Sequence, residues 1–165
     1  MTALVINGLG LHIKVQDIMK SREFYEGLLG LKPTFAYGDK VFLSSIPEGV
    51  ATVSERYRGV TYEPTANTPL EIADGHCGVK HQNVFGEQIE SEKVSAMLRV
   101  ESLLPLVEEK GVRPTFPVRH YYWNTIEMAL RDPDGFVVVI VSPYSEAESE
   151  RLKKLIEVED VSPGT

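Results

Sequence analysis

The chain has one cysteine, Cys77, in 165 residues, so no disulfide can close within it. That scarcity fits a reducing compartment, and the protein is expected to be cytoplasmic. No apolar run approaches the ~20 residues that a membrane-spanning helix requires. The opening stretch Met1-Thr2-Ala3-Leu4-Val5-Ile6 lacks the positive flank and the length of a secretory leader, and no membrane partner is expected. Basic excess is missing as well. Seventeen Lys and Arg against 24 Asp and Glu leave a net charge of -7, the wrong sign for a general nucleic-acid partner. No glycine-rich phosphate loop and no nucleophile elbow is visible. The rest is ordinary globular composition, long enough for a single domain over 1–165 with a substantial core.

An internal repeat organises the chain. Gly30-Leu31-Lys32-Pro33-Thr34-Phe35 matches Gly111-Val112-Arg113-Pro114-Thr115-Phe116, and both follow a helical pattern. Each is preceded by a short alternating strand, Leu11 to Val15 and Ala96 to Val100. Each is followed by a strand, a tight turn and another strand. The turns Ile46-Pro47-Glu48-Gly49 and Asp132-Pro133-Asp134-Gly135 also match.

Asp17 is placed to cap a helix carrying Ile18, Phe24, Tyr25, Leu28 and Leu29, with Gly30 at its left-handed end. Ser102 is the second cap, and Leu103, Leu104, Leu106 and Val107 form the apolar part of a helix that Gly111 ends. Residues 35–37, 41–45 and 50–57 read as the remaining strands of the first module, and 115–118, 125–131 and 136–141 as those of the second. The module boundaries follow as 8–58 and 94–144. A connector, 59–93, and a charged amphipathic C-terminal helix, 145–161, have no repeat partner.

The stretch from Val15 to Leu31, with Asp17, Ser21, Phe24-Tyr25 and Leu29-Gly30, and the turn Arg131-Asp132-Pro133-Asp134-Gly135 resemble the vicinal oxygen chelate superfamily, which includes glyoxalases, bleomycin- and fosfomycin-resistance proteins and extradiol dioxygenases. The resemblance implies an α+β fold of two tandem βαβββ modules forming a curved mixed sheet around a cavity, and a homodimer. It also implies where metal-dependent members place their ligands: an early residue of the first strand and a Glu in the last strand of each module. Here those positions fall on Gly10, Ser95, Val53 and Val139. None offers an imidazole, carboxylate or thiolate, so no metal and no other cofactor is expected. A two-residue slip would bring His12, Glu55, Met97 and Val141 to the same corners.

Strand alternation sends His12, Lys14, Glu55, Met97 and Arg99 toward the cavity. His12 and Glu55 are the catalytic candidates, as acid or base, or else His12 is a histidine satisfied by Glu55 or a carbonyl. Lys14 and Arg99 occupy equivalent positions. They either bind a carboxylate or phosphate, or pair with Glu55 or Glu127. Phe35, Tyr37 and Trp123 are candidates to line the cavity and stack on a ligand, with Trp123 equally readable as a core anchor. His76 to His81 reads as a loop rather than a zinc site. Three functions stay open. The first is metal-independent binding of an aromatic or anionic small molecule. The second is an enzyme of lyase, isomerase or dioxygenase type, with a displaced metal or with acid–base residues. The third is a protein-interaction module.

Overall fold

Alternating apolar residues at Leu11, Ile13 and Val15 build a short strand, and Asp17 stops it by turning the chain into a helix. The computed structural model describes residues 8–114 and 116–161. The strands are β1 (Leu11–Lys14), β2 (Pro33–Gly38), β3 (Ala51–Ser54), β4 (Gly59–Tyr62), β5 (Leu70–Ala73), β6 (Ser95–Arg99), β7 (Val118–Tyr121), β8 (Thr125–Arg131), β9 (Val137–Pro143) and β10 (Val158–Val161). The α-helices are α1 (Ile18–Arg22), α2 (Lys40–Leu43) and α3 (Glu146–Lys153). Helix α1 continues as a π-helical segment, Glu23–Leu28, and a second π-helical segment spans Pro105–Glu109.

The chain divides into two units, Met1–Gln88 and Ile89–Thr165. Each holds one five-stranded mixed sheet. The first runs β1-β5-β4-β2-β3 and the second β6-β9-β8-β7-β10. In both, the first strand pairs parallel with the last core strand, and an added edge strand pairs parallel with the strand after the helix. Two tandem βαβββ modules, each with one extra strand, make this an α+β fold.

The repeat extends to single hydrogen bonds. Leu29 N–H reaches the Phe24 carbonyl at 3.0 Å, and Lys110 N–H reaches Pro105 at 3.1 Å. Leu31 N–H reaches Tyr25, and Val112 N–H reaches Leu106, both at 2.9 Å. Between these bonds Gly30 and Gly111 take φ of 73° and 67°, a left-handed conformation that costs glycine little. Asp17 Oδ1 accepts from the N–H groups of Met19 and Lys20, as its capping position predicts. Ser102 Oγ accepts from Leu104 N–H. Buried Glu148 on α3 adds a second cap by accepting from Leu103 N–H at 2.7 Å.

The core of the first unit lies on one face of its sheet. Ile13, Ile72, Val60 and Ala36 form one cross-strand row there, all buried, with Ile18 and Tyr25 on the helical side also buried. In the second unit Ile126, Met128, Val138 and Ile140 play that part, beside buried Leu103 and Val107.

Several sequence expectations need correction. Residues 41–45 are not a strand. Asp39 Oδ1 accepts from Val41 and Phe42 N–H and starts the single-turn helix α2. Only Ala51–Ser54 of the stretch 50–57 is strand, and it is the added edge strand rather than the last strand of the module. The third and fourth core strands, β4 and β5, lie inside the presumed connector. The first module therefore runs well past residue 58. The strand read at 115–118 starts only at Val118, and Thr115 lies outside the described residues. The C-terminal helix ends at Lys153. After it the chain turns into β10, where β-branched Val158 and Val161 pair parallel with β7, reinforced by His120–Asp160 at 2.8 Å. Among the described residues no helix is long and apolar enough to cross a membrane.

Candidate functional site

On the open face of the first sheet, β1 contributes His12 and Lys14, β5 Glu71, β2 Phe35 and Tyr37, and β4 Gly59. Each lies one residue out of phase with the buried row, as strand alternation requires. The Tyr37 hydroxyl donates to Glu71 Oε1 at 2.7 Å, although β4 lies between their strands. It gets there because Gly59, its cross-strand partner, has no side chain. A Cβ built on Gly59 would stand 2.2 Å from Tyr37 Cζ and 2.4 Å from its hydroxyl oxygen. From the other side His12 Nε2 lies 3.5 Å from the same Glu71 oxygen. The His76 ring closes the group, edge-on to His12 at 5.4 Å and to Tyr37 at 6.0 Å.

This surrounding tunes two titrations. Burial raises the Tyr37 phenol above its ordinary value, and the bond to Glu71 adds to the effect, so the hydroxyl is a standing donor. Burial also lowers the His12 imidazole below 6.5, with Lys14 and His76 acting in the same direction and Glu71 opposing them. The unfolded chain takes up this proton near the ordinary value, whereas the folded one resists it. Stability is thus lost as pH falls through 6.5 toward the folded value. Urea midpoints at pH 8 and pH 5.5 should show a smaller acid loss in His12→Gln than in the unsubstituted protein. Equal losses would mean that His12 titrates normally.

Glu55 does not join this group. It follows β3, and β3 and β1 are opposite edges of a five-stranded sheet, about 19 Å apart at ~4.8 Å per strand. Its carboxylate instead turns back on the Arg56 N–H. The pairing of His12 with Glu55, whether as acid–base partners or as a slipped metal site, is therefore ruled out, and Glu71 is the carboxylate beside His12. Val53 is displaced for the same reason. Val15 and Val100 donate to Ala73 and Val141 respectively, so β5 aligns with β9 and Glu71 aligns with Val139. Counting agrees: Val139 lies four residues after left-handed Gly135, and Glu71 four after left-handed Asn67. Module 1 thus carries Glu71, not Val53, at the last-strand position.

The open face of the second sheet is built differently. A cavity of about 290 Å3 is lined by Ser95, Val137, Val139 and Ala129 on the strands, with Phe116 and Tyr121 among its aromatic walls. Charged side chains from Glu92, Arg119, Glu127 and Arg131 complete the lining. Arg131 donates to Glu92 at 2.6 Å and to the Gly135 carbonyl at 2.7 Å, and Arg119 lies 3.6 Å from Glu159. Met97 and Arg99 stand exposed on the same face but outside the lining. Trp123 is also outside it. It sits half-exposed at the β7–β8 turn and stacks on cavity-lining Tyr121, with centroids 4.3 Å apart and planes 9° from parallel.

The sequence matches the Glyoxalase/Bleomycin resistance protein/Dioxygenase superfamily over residues 9–140. The chain belongs to this superfamily. Solved structures place it in the same fold. A superfamily member from Sphaerobacter thermophilus is 20% identical, with a TM-score of 0.52 over 84% of this chain and 98% of that one. UcmS2 is 18% identical, with a TM-score of 0.56 over 84% and 98%. The fosfomycin resistance protein FosX from Listeria monocytogenes, solved with Mn(II) and sulfate, is 12% identical, with a TM-score of 0.50 over 90% and 99%. No curated protein matches the chain.

The donor positions that the superfamily resemblance implies are Gly10, Glu71, Ser95 and Val139. Only Glu71 carries a strong ligand, and it is engaged by Tyr37. Among the described residues no three His, Cys, Asp or Glu side chains converge to hold a metal ion. The residues present do not fit the metal centre of metal-dependent members.

Proposed function

We propose that the chain is a metal-independent small-molecule-binding protein of the superfamily, with its ligand seated in the cavity on the second sheet. The observation that carries this reading is that Ser95 and Val139, the two donor positions of this module, both line the cavity and offer it a hydroxyl and an isopropyl group. The cavity floor is apolar, its walls include aromatics and its charges are side chains. That is the composition of a site that holds an organic ligand by burial and a few polar contacts. Its volume of about 290 Å3 suits a molecule of one or two rings.

The single tryptophan supplies the readout, because a ligand against Tyr121 disturbs its stack with Trp123. A ligand at 100 times its Kd adds about 2.7 kcal/mol of stability. For a chain of this size that is a Tm rise of roughly 5–10 °C. The rise should survive exhaustive dialysis against a chelator and vanish in Ala129→Phe, where a ring fills the cavity. A requirement for stoichiometric metal, or undiminished binding in Ala129→Phe, would overturn the reading.

The Tyr37–Glu71–His12 group favours a second reading, acid–base chemistry at the first sheet. On that reading Glu71→Gln lowers any turnover by on the order of 100-fold or more while cavity binding is unchanged.

A further inference from the structure

The charged side chains that line the cavity of the second unit are not all paired with one another. Two guanidinium groups and two carboxylates line it. Both guanidiniums have carboxylates of their own: Arg131 is held by Glu92 at 2.6 Å, and Arg119 faces Glu159 at 3.6 Å. Glu127 is different. Its hydrogen-bond donor is the neutral Thr125 hydroxyl, at 2.9 Å to Oε1. Among the described residues no cation lies within ion-pair distance of it. Arg119 is its cross-strand partner but its ion pair is with Glu159 on the neighbouring strand β10. Arg99 shares the row beyond Val141 but is exposed to solvent and outside the lining.

The uncompensated charge in the wall is therefore one half-buried carboxylate, set on the interior strand β8 beside aromatic Tyr121 and Phe116. A carboxylate in such a place is costly to leave unpaired, and a cation that arrives with an apolar body both pairs it and buries the wall. The aromatic faces add attraction for the same charge. We infer that the cavity binds an organic amine, protonated at neutral pH and carrying an aromatic or aliphatic body, with Glu127 as its counter-ion. The inference rests on the small-molecule reading above and makes that reading specific. The net charge of -7 acts in the same direction by drawing cations toward the chain.

Three probes of nearly one shape separate the possibilities: 2-phenylethylamine, neutral 2-phenylethanol and anionic 3-phenylpropionate, titrated against the whole chain by Trp123 emission and calorimetry. The amine should bind at least tenfold more tightly than the alcohol, and the carboxylate more weakly than both. Glu127→Gln should bring amine and alcohol within about threefold of each other, leaving the alcohol's affinity unchanged. Glu127→Asp, which keeps the charge, should retain part of the preference. Equal or tighter binding of the alcohol or the carboxylate by the unsubstituted protein would overturn the charge assignment and leave small-molecule binding standing. Binding of none of the three would overturn both. The comparison of probes on the unsubstituted protein decides the matter even if a variant fails to fold.

Discussion

Alanine in place of Gly59 should lower the unfolding free energy by about 2–3 kcal/mol, the cost of forcing a group into packed space. That is a fall in Tm of roughly 5–10 °C for a chain of this size. Ordinary glycine arguments do not apply, because Gly59 is not among the residues with positive φ and its backbone suits any residue. The obstacle is Tyr37, whose ring crosses β4 on its way to Glu71 and would meet the new methyl at 2.2–2.5 Å. The ring must leave, which costs the 2.7 Å bond to Glu71 and the edge contact with His76. Tyr37→Phe isolates the hydroxyl and should cost about 1 kcal/mol. In a Tyr37→Ala background the new methyl has space, and Gly59→Ala should there cost under about 0.5 kcal/mol, leaving a coupling of roughly 2 kcal/mol. Urea denaturation of the four proteins measures it. Additive costs would mean that the two residues do not meet, and the group around Glu71 would lose its geometry.

The same crossing explains why this group occurs only in the first unit. Register aligns Gly59 with Glu127, Tyr37 with Arg119, Glu71 with Val139 and His12 with Met97. One module keeps a bare strand that a phenol can cross to a carboxylate. The other places a carboxylate where the glycine was and a valine where the carboxylate was, and that face carries the cavity. The two copies of one fold thus carry different residues at four matching points of this face.

Much of this was legible in the sequence where spacing and cap chemistry agreed. Asp17, Ile18, Tyr25 and Gly30 specify one helix, its buried stripe and its end, and all four act as their spacing predicts. Strand β8 spans the residues that its alternation predicts, Thr125–Arg131, with Ile126, Met128 and Leu130 buried between half-buried neighbours. Period-two parity also puts His12 and Lys14 on one face of β1, where the structure has them. The failure began at a turn. Ile46-Pro47-Glu48-Gly49 has the chemistry of Asp132-Pro133-Asp134-Gly135, and Gly49 and Gly135 share φ near 90°. Turn chemistry sets a local angle and carries no information about which strands the turn joins. The first leads to an edge strand, the second to the last core strand. The true counterpart in module 1 is the stretch before β5, where Asn67 takes the left-handed conformation with φ 60° and Glu63 holds its N–H. Strands β4 and β5 were missed because each is only four residues long and Pro64 and Pro69 interrupt the region between them. With β5 unread, Glu71 escapes the sequence reading: the last-strand position falls on Val53, and Glu55 stands as the carboxylate candidate. Asn67, a residue tolerant of positive φ four positions ahead of a glutamate, was the signal available.

The largest loss of stability is expected at Glu26. Arg22, 8% exposed, is gripped by its carboxylate through Nε at 2.7 Å and Nη2 at 3.0 Å, and Tyr62, fully buried, donates to it at 2.9 Å. The rest of the guanidinium is satisfied by Ser45 Oγ at 2.8 Å and the Ser45 carbonyl at 3.3 Å, with the Phe42 ring 5.8 Å away. Glu26→Ala leaves a buried positive charge without its counter-ion and a buried phenol without its acceptor. Breaking a buried pair in this way costs about 3–5 kcal/mol. Glu26→Gln keeps one acceptor oxygen and should cost less, about 2 kcal/mol. The pair is not thereby worth its breaking cost. Taking both ions out of water offsets most of their attraction, so Arg22→Met, Glu26→Leu and Tyr62→Phe together should return to within about 1 kcal/mol of the starting stability. The pattern to look for in urea midpoints is a deep loss for the single change and recovery in the triple. A loss under about 1 kcal/mol in Glu26→Ala would mean that water reaches Arg22, and that the helix end is not sealed against β4 and α2 as the distances require.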